Sequence, residues 1–312
     1  MSAPAVAFLG CGRITRAIVT GLVGSGLPAQ RLYGVSRHGG SARALAADTG
    51  LIPASDIAGA VRPVNLVVLA VHPHEAADVL AELRPLLRPG QVLVSLVASW
   101  PVATVARAAG DAVPVVRAVP NVAAAVRAGA TALSAGPGAE PDELARVTGL
   151  FERLGQVFVV DDEHMETVSA LSGAGPALIA RFAQVLAEAA AGLGLPYRLA
   201  EDLARHAVHG TGVLHAGPDA SLAGTVAAVS SPGGMTEQAL ATMDRHGLTP
   251  ATAAALRAAV ALSLARTPNL APAPGPGPGQ DPGPGQDPGS GRAPGAGGGA
   301  PDTVPTPGPS PL

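Results

Sequence analysis

The stretch VAFLGCGRITRAI, Val6 to Ile18, decides the fold of the first half of the chain. A short apolar run ends in Gly10 and Gly12, and apolar residues at helical spacing follow from about Ile14. This order suits a dinucleotide-binding loop, because the first glycine allows a tight turn and the second lets the backbone approach a pyrophosphate at the helix N-terminus. Thr15 holds the third small position of the fingerprint, which predicts looser helix packing. The residues assigned to a cofactor here are Gly10, Cys11, Gly12, Arg13 and Ile14.

The second strand-like run indicates which dinucleotide is bound. RLYGVS ends in Ser36 and is followed by Arg37 and His38, with no acidic residue at this point. An NAD site usually has Asp or Glu there to hold the ribose hydroxyls, and such a carboxylate would repel a 2′-phosphate. A hydroxyl and a guanidinium can instead bind the phosphate by charge-assisted hydrogen bonds. The sequence therefore favours NADP(H), with Ser36 and Arg37 as further cofactor residues.

Three zones of different composition predict the domain organisation. Six strand-like runs alternate with helical patterns in residues 1–160, namely AVAFLG, RLYGVS, VNLVVLAV, QVLVSLV, VPVVRAV and ATALSAG. This alternation is typical of βαβ units and a mainly parallel sheet. Residues 161–266 are nearly free of strand-like runs and predict an all-helical second domain. Residues 267–312 are rich in Pro and Gly and are expected to be a disordered tail.

Composition narrows the class of function. The formal net charge of −3 gives no electrostatic reason to expect nucleic acid or an anionic membrane as a partner. Cys11 is the single cysteine, and no apolar run of about 18 residues is free of Pro, Gly or charge, so we expect a cytoplasmic protein acting on a small molecule. All 20 basic residues are arginines, which excludes any mechanism with a catalytic lysine. No metal site is predicted.

Four further motifs follow the glycine loop in a fixed order. They are LAVHP at residues 69–73, VVRAVPN at 115–121, ALSGAGPA at 170–177 and SSPGGMT at 230–236. With these motifs, residues 6–265 resemble the pyrroline-5-carboxylate reductases, which reduce a cyclic imine with NAD(P)H in proline biosynthesis. The resemblance implies an α/β Rossmann-type dinucleotide-binding domain followed by an all-helical dimerisation domain. It also implies an obligate homodimer or a higher homo-oligomer, with each active site formed between two subunits.

The resemblance assigns roles to residues in these motifs. It implies that Thr236 and Ser231 are catalytic, with the Thr236 hydroxyl near the imine nitrogen. The residues implied to bind the substrate are Gly233, Gly234, Met235, Asn121 and Ser172. Further residues implied to bind the cofactor are Ala70, Val71, His72, Pro73 and Pro120. The backbone N–H groups of the SSPGGMT turn are suited to a substrate carboxylate, because they lie at the amino end of the following helix.

The motifs also depart from the family pattern. Ala174 and Leu178 stand where the family has a serine and an aromatic tyrosine, and charged residues are missing before SSPGGMT. The segment Ala98-Ser99-Trp100 replaces a small residue followed by glycine after the fifth strand, and Asn121-Val122-Ala123 replaces Asn-Thr-Pro. These departures predict a more apolar catalytic crevice and leave three functions open. The chain reduces pyrroline-5-carboxylate to proline, or reduces a less polar cyclic imine, or is a catalytically silent NADPH-binding paralogue. Hydroxyacid dehydrogenases need a lysine, and deazaflavin-dependent NADP reductases share only the first domain.

Overall fold

One eight-stranded sheet forms the first part of the chain in this computed structural model, which describes residues 4–110, 112–217 and 221–267. The strand order is β3-β2-β1-β4-β5-β6-β7-β8, and every pair is parallel except the antiparallel pair β6 and β7. The strands are β1 Val6–Leu9, β2 Leu32–Val35, β3 Ile52–Pro53, β4 Leu66–Leu69, β5 Val92–Ser95, β6 Val115–Val119, β7 Gly129–Ala135 and β8 Gly155–Val159. The mainly parallel sheet predicted from the sequence is confirmed.

Six of these strands match the predicted runs, and two do not. The two-residue β3 and the five-residue β8 were missing from the prediction. β3 contains Pro53 and is exposed, and β8 is exposed or half-buried along its length, so neither has the buried β-branched run that identifies the other strands. The predicted Pro/Gly-rich tail lies, from residue 268 onward, outside the described residues.

Helices cover both faces of the sheet and then form the rest of the described chain. The helices among the strands are α1 Arg13–Gly24, α2 Gly40–Thr49, α3 Ile57–Val61, α4 Ala76–Leu83, α5 Val102–Ala109 and α6 Pro141–Phe151. After β8 come α7 Met165–Val168, a π-helical stretch Ser169–Gly173, α8 Gly175–Gly192, α9 Tyr197–Leu214, α10 Leu222–Val229, α11 Met235–Arg245 and α12 Leu248–Ala265. No strand follows Val159 within the described residues, as the sequence predicted.

Each face of the sheet has its own apolar core, because alternate residues of a strand point to opposite sides. Phe8 of β1 packs in one core with Ile18 of α1, and Leu9 packs in the other with Leu80 of α4. Trp100 belongs to the second core and is buried. The expectation that Trp100 makes a catalytic crevice more apolar is therefore wrong, since its side chain packs inside the sheet-and-helix core.

The helical part leaves much apolar surface exposed. No residue of α10, α11 or α12 is fully buried, and α8 exposes Ile179, Phe182 and Val185. The segments Asp162–Gly192 and Leu248–Ala265 are long and apolar enough to cross a membrane by length and composition alone, and neither is more than 11% buried. Helices that pack in a core shared with a partner chain have the same length and composition. An exposed apolar surface of this extent is expected to be covered by another molecule.

Candidate active site

The turn between β1 and α1 has the geometry of a dinucleotide-binding loop. Gly10 has a φ of +102°, and a Cβ there would lie 2.3 Å from the carbonyl oxygen of Ala70, so only glycine fits. Gly12 precedes the first turn of α1, which has no side-chain cap, and a Cβ on Gly12 would meet nothing within 4 Å. The first N–H groups of α1 and the space beside Gly12 are thus open to an anion.

Thr15 does not loosen this turn. Its side chain is fully buried, and its Oγ1 donates a hydrogen bond of 2.7 Å to the carbonyl oxygen of Gly10. The hydroxyl thus ties the start of α1 to the glycine turn, which a glycine or alanine cannot do. The looser packing expected from the sequence is wrong for this reason.

A cleft of about 630 Å³ opens beside this turn, at the carboxyl ends of β1, β2 and β4. The predicted cofactor residues that line it are Gly10, Cys11, Gly12, Ser36, Arg37, Ala70, Val71 and His72. The other four predicted cofactor residues do not line the cleft. Arg13 is exposed at the start of α1, Ile14 packs against the first core, Pro73 follows His72 in the loop, and Pro120 directly follows β6. Open α/β sheets bind ligands at this edge, so the cleft is the candidate cofactor site.

The end of β2 carries the polar groups predicted to distinguish NADP(H) from NAD(H). Ser36 Oγ accepts a hydrogen bond of 3.2 Å from the backbone N–H of Ala42 in the first turn of α2. Arg37 is 60% exposed, and its guanidinium lies 3.3 Å from Glu75 Oε1. Glu75 also accepts the backbone N–H of His72 at 3.3 Å. Glu75 was not identified from the sequence, because it lies 38 positions from Arg37 and meets it only through the fold.

Other carboxylates share the cleft with Arg37. They are Asp56, Asp78 and Glu82. A hydrogen bond from the backbone N–H of Gly59 is the main reason that the pKa of Asp56 is lowered from its ordinary value, so this side chain stays charged. The cleft therefore offers a bound phosphate one guanidinium among several negative charges, which makes the position of Arg37 decisive for phosphate binding.

Cys11 is a small buried side chain in the cleft wall. Its Sγ lies 3.6 Å from the carbonyl oxygen of Val35, to which it donates. Desolvation by burial raises the pKa of the Cys11 thiol to about 11. The thiol is therefore protonated near neutral pH and lacks the thiolate character of a nucleophile.

Asn121 and Ser172, both predicted to bind substrate, meet at the end of β6. Asn121 Nδ2 lies 3.3 Å from the carbonyl oxygen and 3.4 Å from the hydroxyl of Ser172, which belongs to the π-helical stretch. Asn121 Oδ1 accepts the backbone N–H of Ala123 at 3.2 Å. Such π-helical turns are frequent at functional sites. The amide of Asn121 thus holds Ser172 in place.

The SSPGGMT turn joins α10 to α11. Ser231, Gly233 and Met235 are exposed, Met235 to 92%, while Gly234 and Thr236 are half-buried. None of these five residues lines the cleft. One chain therefore brings eight of the predicted cofactor residues together in the cleft, and Asn121 and Ser172 together at the end of β6, whereas the turn does not line the cleft.

Internal hydrogen bonds in this turn change the expected set of anion donors. The Gly233 N–H donates to Glu237 Oε2 at 2.7 Å, and the Gly234 N–H donates to the Ser231 carbonyl at 2.9 Å. The two glycine N–H groups expected to bind a substrate carboxylate therefore already donate to other atoms of the protein. Met235 and Thr236 supply the next two N–H groups of α11, where the helix dipole favours an anion. Glu237, missed from the sequence, is itself an acidic side chain at this position.

A possible cation site is also present on the surface. Asp161, Glu163 and His164 are exposed and bring their ligand atoms within 4.8 Å of one another. Exposed acidic groups of this kind are common without a metal, and no observation in the described residues points to an ion.

Comparisons with known proteins match both the sheet part and the helical part of the chain. Residues 162–265 match the family model for pyrroline-5-carboxylate reductase dimerisation, and residues 5–99 match that for NADP oxidoreductase, coenzyme F420-dependent. A pyrroline-5-carboxylate reductase of Mycobacterium tuberculosis is 33% identical over 277 residues, covering 81% of this chain and 94% of the relative. A solved pyrroline-5-carboxylate reductase of Coxiella burnetii is 30% identical, with a TM-score of 0.79 over 86% of this chain and 100% of that chain.

A more distant solved structure supports the fold alone. It is a pyrroline carboxylate reductase of Plasmodium falciparum with NADP bound, 22% identical, with a TM-score of 0.76 over 86% of this chain and all of that one. The dimerisation match includes α8 to α12, whose apolar faces are exposed in one chain. A second copy of the chain is therefore the indicated cover for these faces, and the assembly is a homo-oligomer.

Proposed function

The chain belongs to the pyrroline-5-carboxylate reductase family, and we propose that it reduces 1-pyrroline-5-carboxylate to proline with NADPH. The match over 81% of the chain to a reductase of this name carries the proposal, because it includes both the cofactor cleft and the helical part. The reaction adds a hydride to the imine carbon and a proton to the imine nitrogen. Hydride transfer depends on positioning more than on acid–base power, so the absence of lysine is no obstacle.

NADPH fits the residues of the cleft. Gly12 leaves room for the pyrophosphate beside the uncapped N–H groups of α1, and Ser36 and Arg37 provide a hydroxyl and a guanidinium where the 2′-phosphate lies in an NADP site. Bound there, NADPH supplies the hydride. Arg13, Ile14, Pro73 and Pro120, which lie outside the cleft lining, remain proposed cofactor residues at its border.

The substrate is held by the turn before α11 and by the end of β6. The N–H groups of Met235 and Thr236 bind the substrate carboxylate at the amino end of α11, with the turn shaped by Gly233 and Gly234. The Thr236 hydroxyl, with Ser231 nearby, delivers the proton to the imine nitrogen. Asn121 orients Ser172, whose hydroxyl then faces the substrate.

The active site is completed between subunits. Within one chain the turn at residues 231–236 does not line the cofactor cleft, so the cleft of one subunit works with the turn of another. We divide the chain accordingly into an NADP-binding domain at residues 1–160 and a helical domain for dimerisation and substrate at residues 161–266. The proposed assembly is an obligate homodimer, or a higher oligomer built from it, in the cytoplasm. The proposal requires neither nucleic acid nor a membrane.

A panel of imines tests this function. The full chain is supplied with NADPH and 1-pyrroline-5-carboxylate, with 1-pyrroline as the matched substrate that lacks the carboxylate, and with six-membered imines. We expect the highest kcat/KM with 1-pyrroline-5-carboxylate, because only it offers the anion that α11 binds. A preference for an imine without a carboxylate would establish the less polar substrate instead. NADPH binding without oxidation on any imine would establish a silent paralogue.

A further inference from the structure

Arg117 is a buried charge inside the sheet. It lies on β6, its side chain is 3% exposed, and both of its partners come from the helical part of the chain. Its guanidinium lies 3.2 Å from Asp162 Oδ1 and 2.5 Å from Glu166 Oε1. A buried cation is costly unless it is paired and hydrogen-bonded, so these contacts fix the position of α7 against β6.

A chain of hydrogen bonds continues from Glu166 to α12. Glu166 Oε2 accepts the hydroxyl of Ser263 on α12, and Ser263 Oγ lies 2.9 Å from Ser99 Oγ. A carboxylate can only accept, so Ser263 donates to Glu166 and Ser99 must donate to Ser263. Arg117, Glu166, Ser263 and Ser99 together are called the Glu166 network below.

Ser99 is held in a backbone conformation that serine avoids. Its φ is +64°, and its side chain is buried, with 2% of the residue exposed. Left-handed residues other than glycine persist where the surroundings hold them, and they concentrate at functional sites. Asp162 Oδ2 holds the end of the same loop by accepting the Val102 N–H at 2.9 Å. The helical part thus anchors the loop between β5 and α5 at two places.

The loops anchored in this way follow β5 and β6, in the half of the sheet that holds the second nucleotide in a dinucleotide-binding fold. A dinucleotide-binding sheet binds the two nucleotides in its two halves, with the second half built from the strands that correspond to β4, β5 and β6. Ser99 follows β5, and Pro120 follows Arg117 on β6 by three residues. We therefore expect the network to act on both loops at the nicotinamide half of the cofactor site, beyond the cleft lined by Gly10 and Arg37.

We propose that Ser263 on α12 and Glu166 on α7 are positioning residues for hydride transfer, which hold the loop of Ser99 and the end of β6 in place. The proposal rests on the proposed function. Neither residue touches the substrate in this account. They act through Ser99 and Arg117. Breaking the network therefore displaces the loops after β5 and β6 without removing any group that binds the cofactor or the substrate.

Ser263→Ala in the full chain is the primary test. We expect kcat with 1-pyrroline-5-carboxylate to fall by roughly 10- to 100-fold, because small displacements cost rate steeply, while the Kd of NADPH and the KM of the imine stay within about twofold. Ser263→Thr keeps the hydroxyl and should restore most of kcat. Ser25→Ala is the matched control, since Ser25 Oγ donates to Leu22 at the opposite end of α1 and should leave kcat unchanged.

Trp100 gives a second readout that does not depend on activity. It is the single tryptophan, it is buried, and it adjoins Ser99. Ser263→Ala should shift its fluorescence to longer wavelength and increase its quenching by acrylamide in the protein without cofactor, and Ser25→Ala should do neither. If the wild type reduces no imine, the proposed function fails, and Trp100 still tests whether the network holds the loop.

The double variant Ser99→Gly/Ser263→Ala tests whether the two residues act as one unit. Because both changes remove the same hydrogen bond, kcat of the double variant should equal that of Ser263→Ala within about twofold. Unchanged kcat and unchanged Trp100 quenching in Ser263→Ala would overturn the proposal. A fall in kcat matched by an equal loss of NADPH affinity would overturn it as well, since that result describes a binding role.

Discussion

The side-chain amide of Asn121 lies 3.3 Å from the carbonyl oxygen and 3.4 Å from the hydroxyl of Ser172, across 51 positions of sequence. The contact joins the end of β6 to the π-helical stretch that begins the helical part. Asn121 Oδ1 accepts the Ala123 N–H within the loop that follows β6, so both ends of the amide are hydrogen-bonded. The sheet and the first helical turns are therefore fixed to each other beside the proposed nicotinamide site.

Arg37 should determine the preference for NADPH. Arg37→Ala is expected to weaken NADPH binding by about 1–3 kcal/mol, the range of a charge-assisted hydrogen bond, and to leave NADH binding nearly unchanged. Titration calorimetry with both cofactors measures this. Arg31→Ala is the control, since Arg31 lies before β2, at the end of the strand away from the cleft. Equal losses for both cofactors would contradict the role of Arg37.

Glu75 should compete with the 2′-phosphate for Arg37. The exposed ion pair is worth up to about 1 kcal/mol, so Glu75→Gln is expected to raise NADPH affinity by up to about fivefold. The glutamine oxygen can still accept the His72 N–H, which preserves the loop. Glu82→Gln removes the same charge from the cleft wall and should have a smaller effect. Weaker NADPH binding by Glu75→Gln would show that Glu75 instead preorganises Arg37.

Cys11 should react slowly with alkylating reagents. A thiol pKa raised to about 11 leaves roughly 100-fold less thiolate at pH 8 than an ordinary cysteine has. The rate of iodoacetamide labelling in the native and the urea-unfolded protein measures the difference. The folded pKa lies above the unfolded one, so the stability due to Cys11 is complete at neutral pH and is lost as pH rises from about 9 to 11. Equal labelling rates in the two states would contradict the burial of this thiol.

Thr236 should affect turnover and not cofactor binding. Thr236→Ala is expected to lower kcat by roughly 10- to 1000-fold, the range for losing one positioned donor. The Kd of NADPH should be unchanged, because the cleft does not include this residue. Thr242→Ala is a control on the same helix, where the hydroxyl donates to the Gln238 carbonyl and accepts from the Arg245 guanidinium, both within α11. Full activity of Thr236→Ala would remove this residue from the mechanism.

The main elements of the fold were predictable because they depend on local patterns. The turn at Gly10 and Gly12, six strands and the helical second half all follow from spacing and residue type. Contacts between distant positions were not predictable. Arg117 meets Glu166 across 49 positions, and Trp100 is buried in the second core although it lies in the loop that follows β5. Glu237 occupies a donor of the SSPGGMT turn through a side-chain geometry that the motif does not specify.

A mixed oligomer separates a composite site from a site within one chain. A Cβ on Gly12 would meet no protein atom within 4 Å, so Gly12→Val fills space needed by the cofactor, and Thr236→Ala damages the other half. Co-expressed chains should regain about a quarter of wild-type activity, since half of the dimers are mixed and each holds one intact site. Subunit exchange is verified by mass spectrometry of differently tagged chains. No recovery in confirmed mixed dimers would place the whole site within one subunit.

Transfer of deuterium from the cofactor to the product tests the central claim most directly. The full chain is given 1-pyrroline-5-carboxylate and NADPH carrying deuterium at the transferable position of nicotinamide C4, and the proline formed is analysed by mass spectrometry and NMR. The account predicts one proline for each NADPH oxidised, with one deuterium bound to C5, the former imine carbon. Proline without deuterium at C5, or NADPH oxidation without proline, would contradict the claim that this chain reduces the imine by direct hydride transfer.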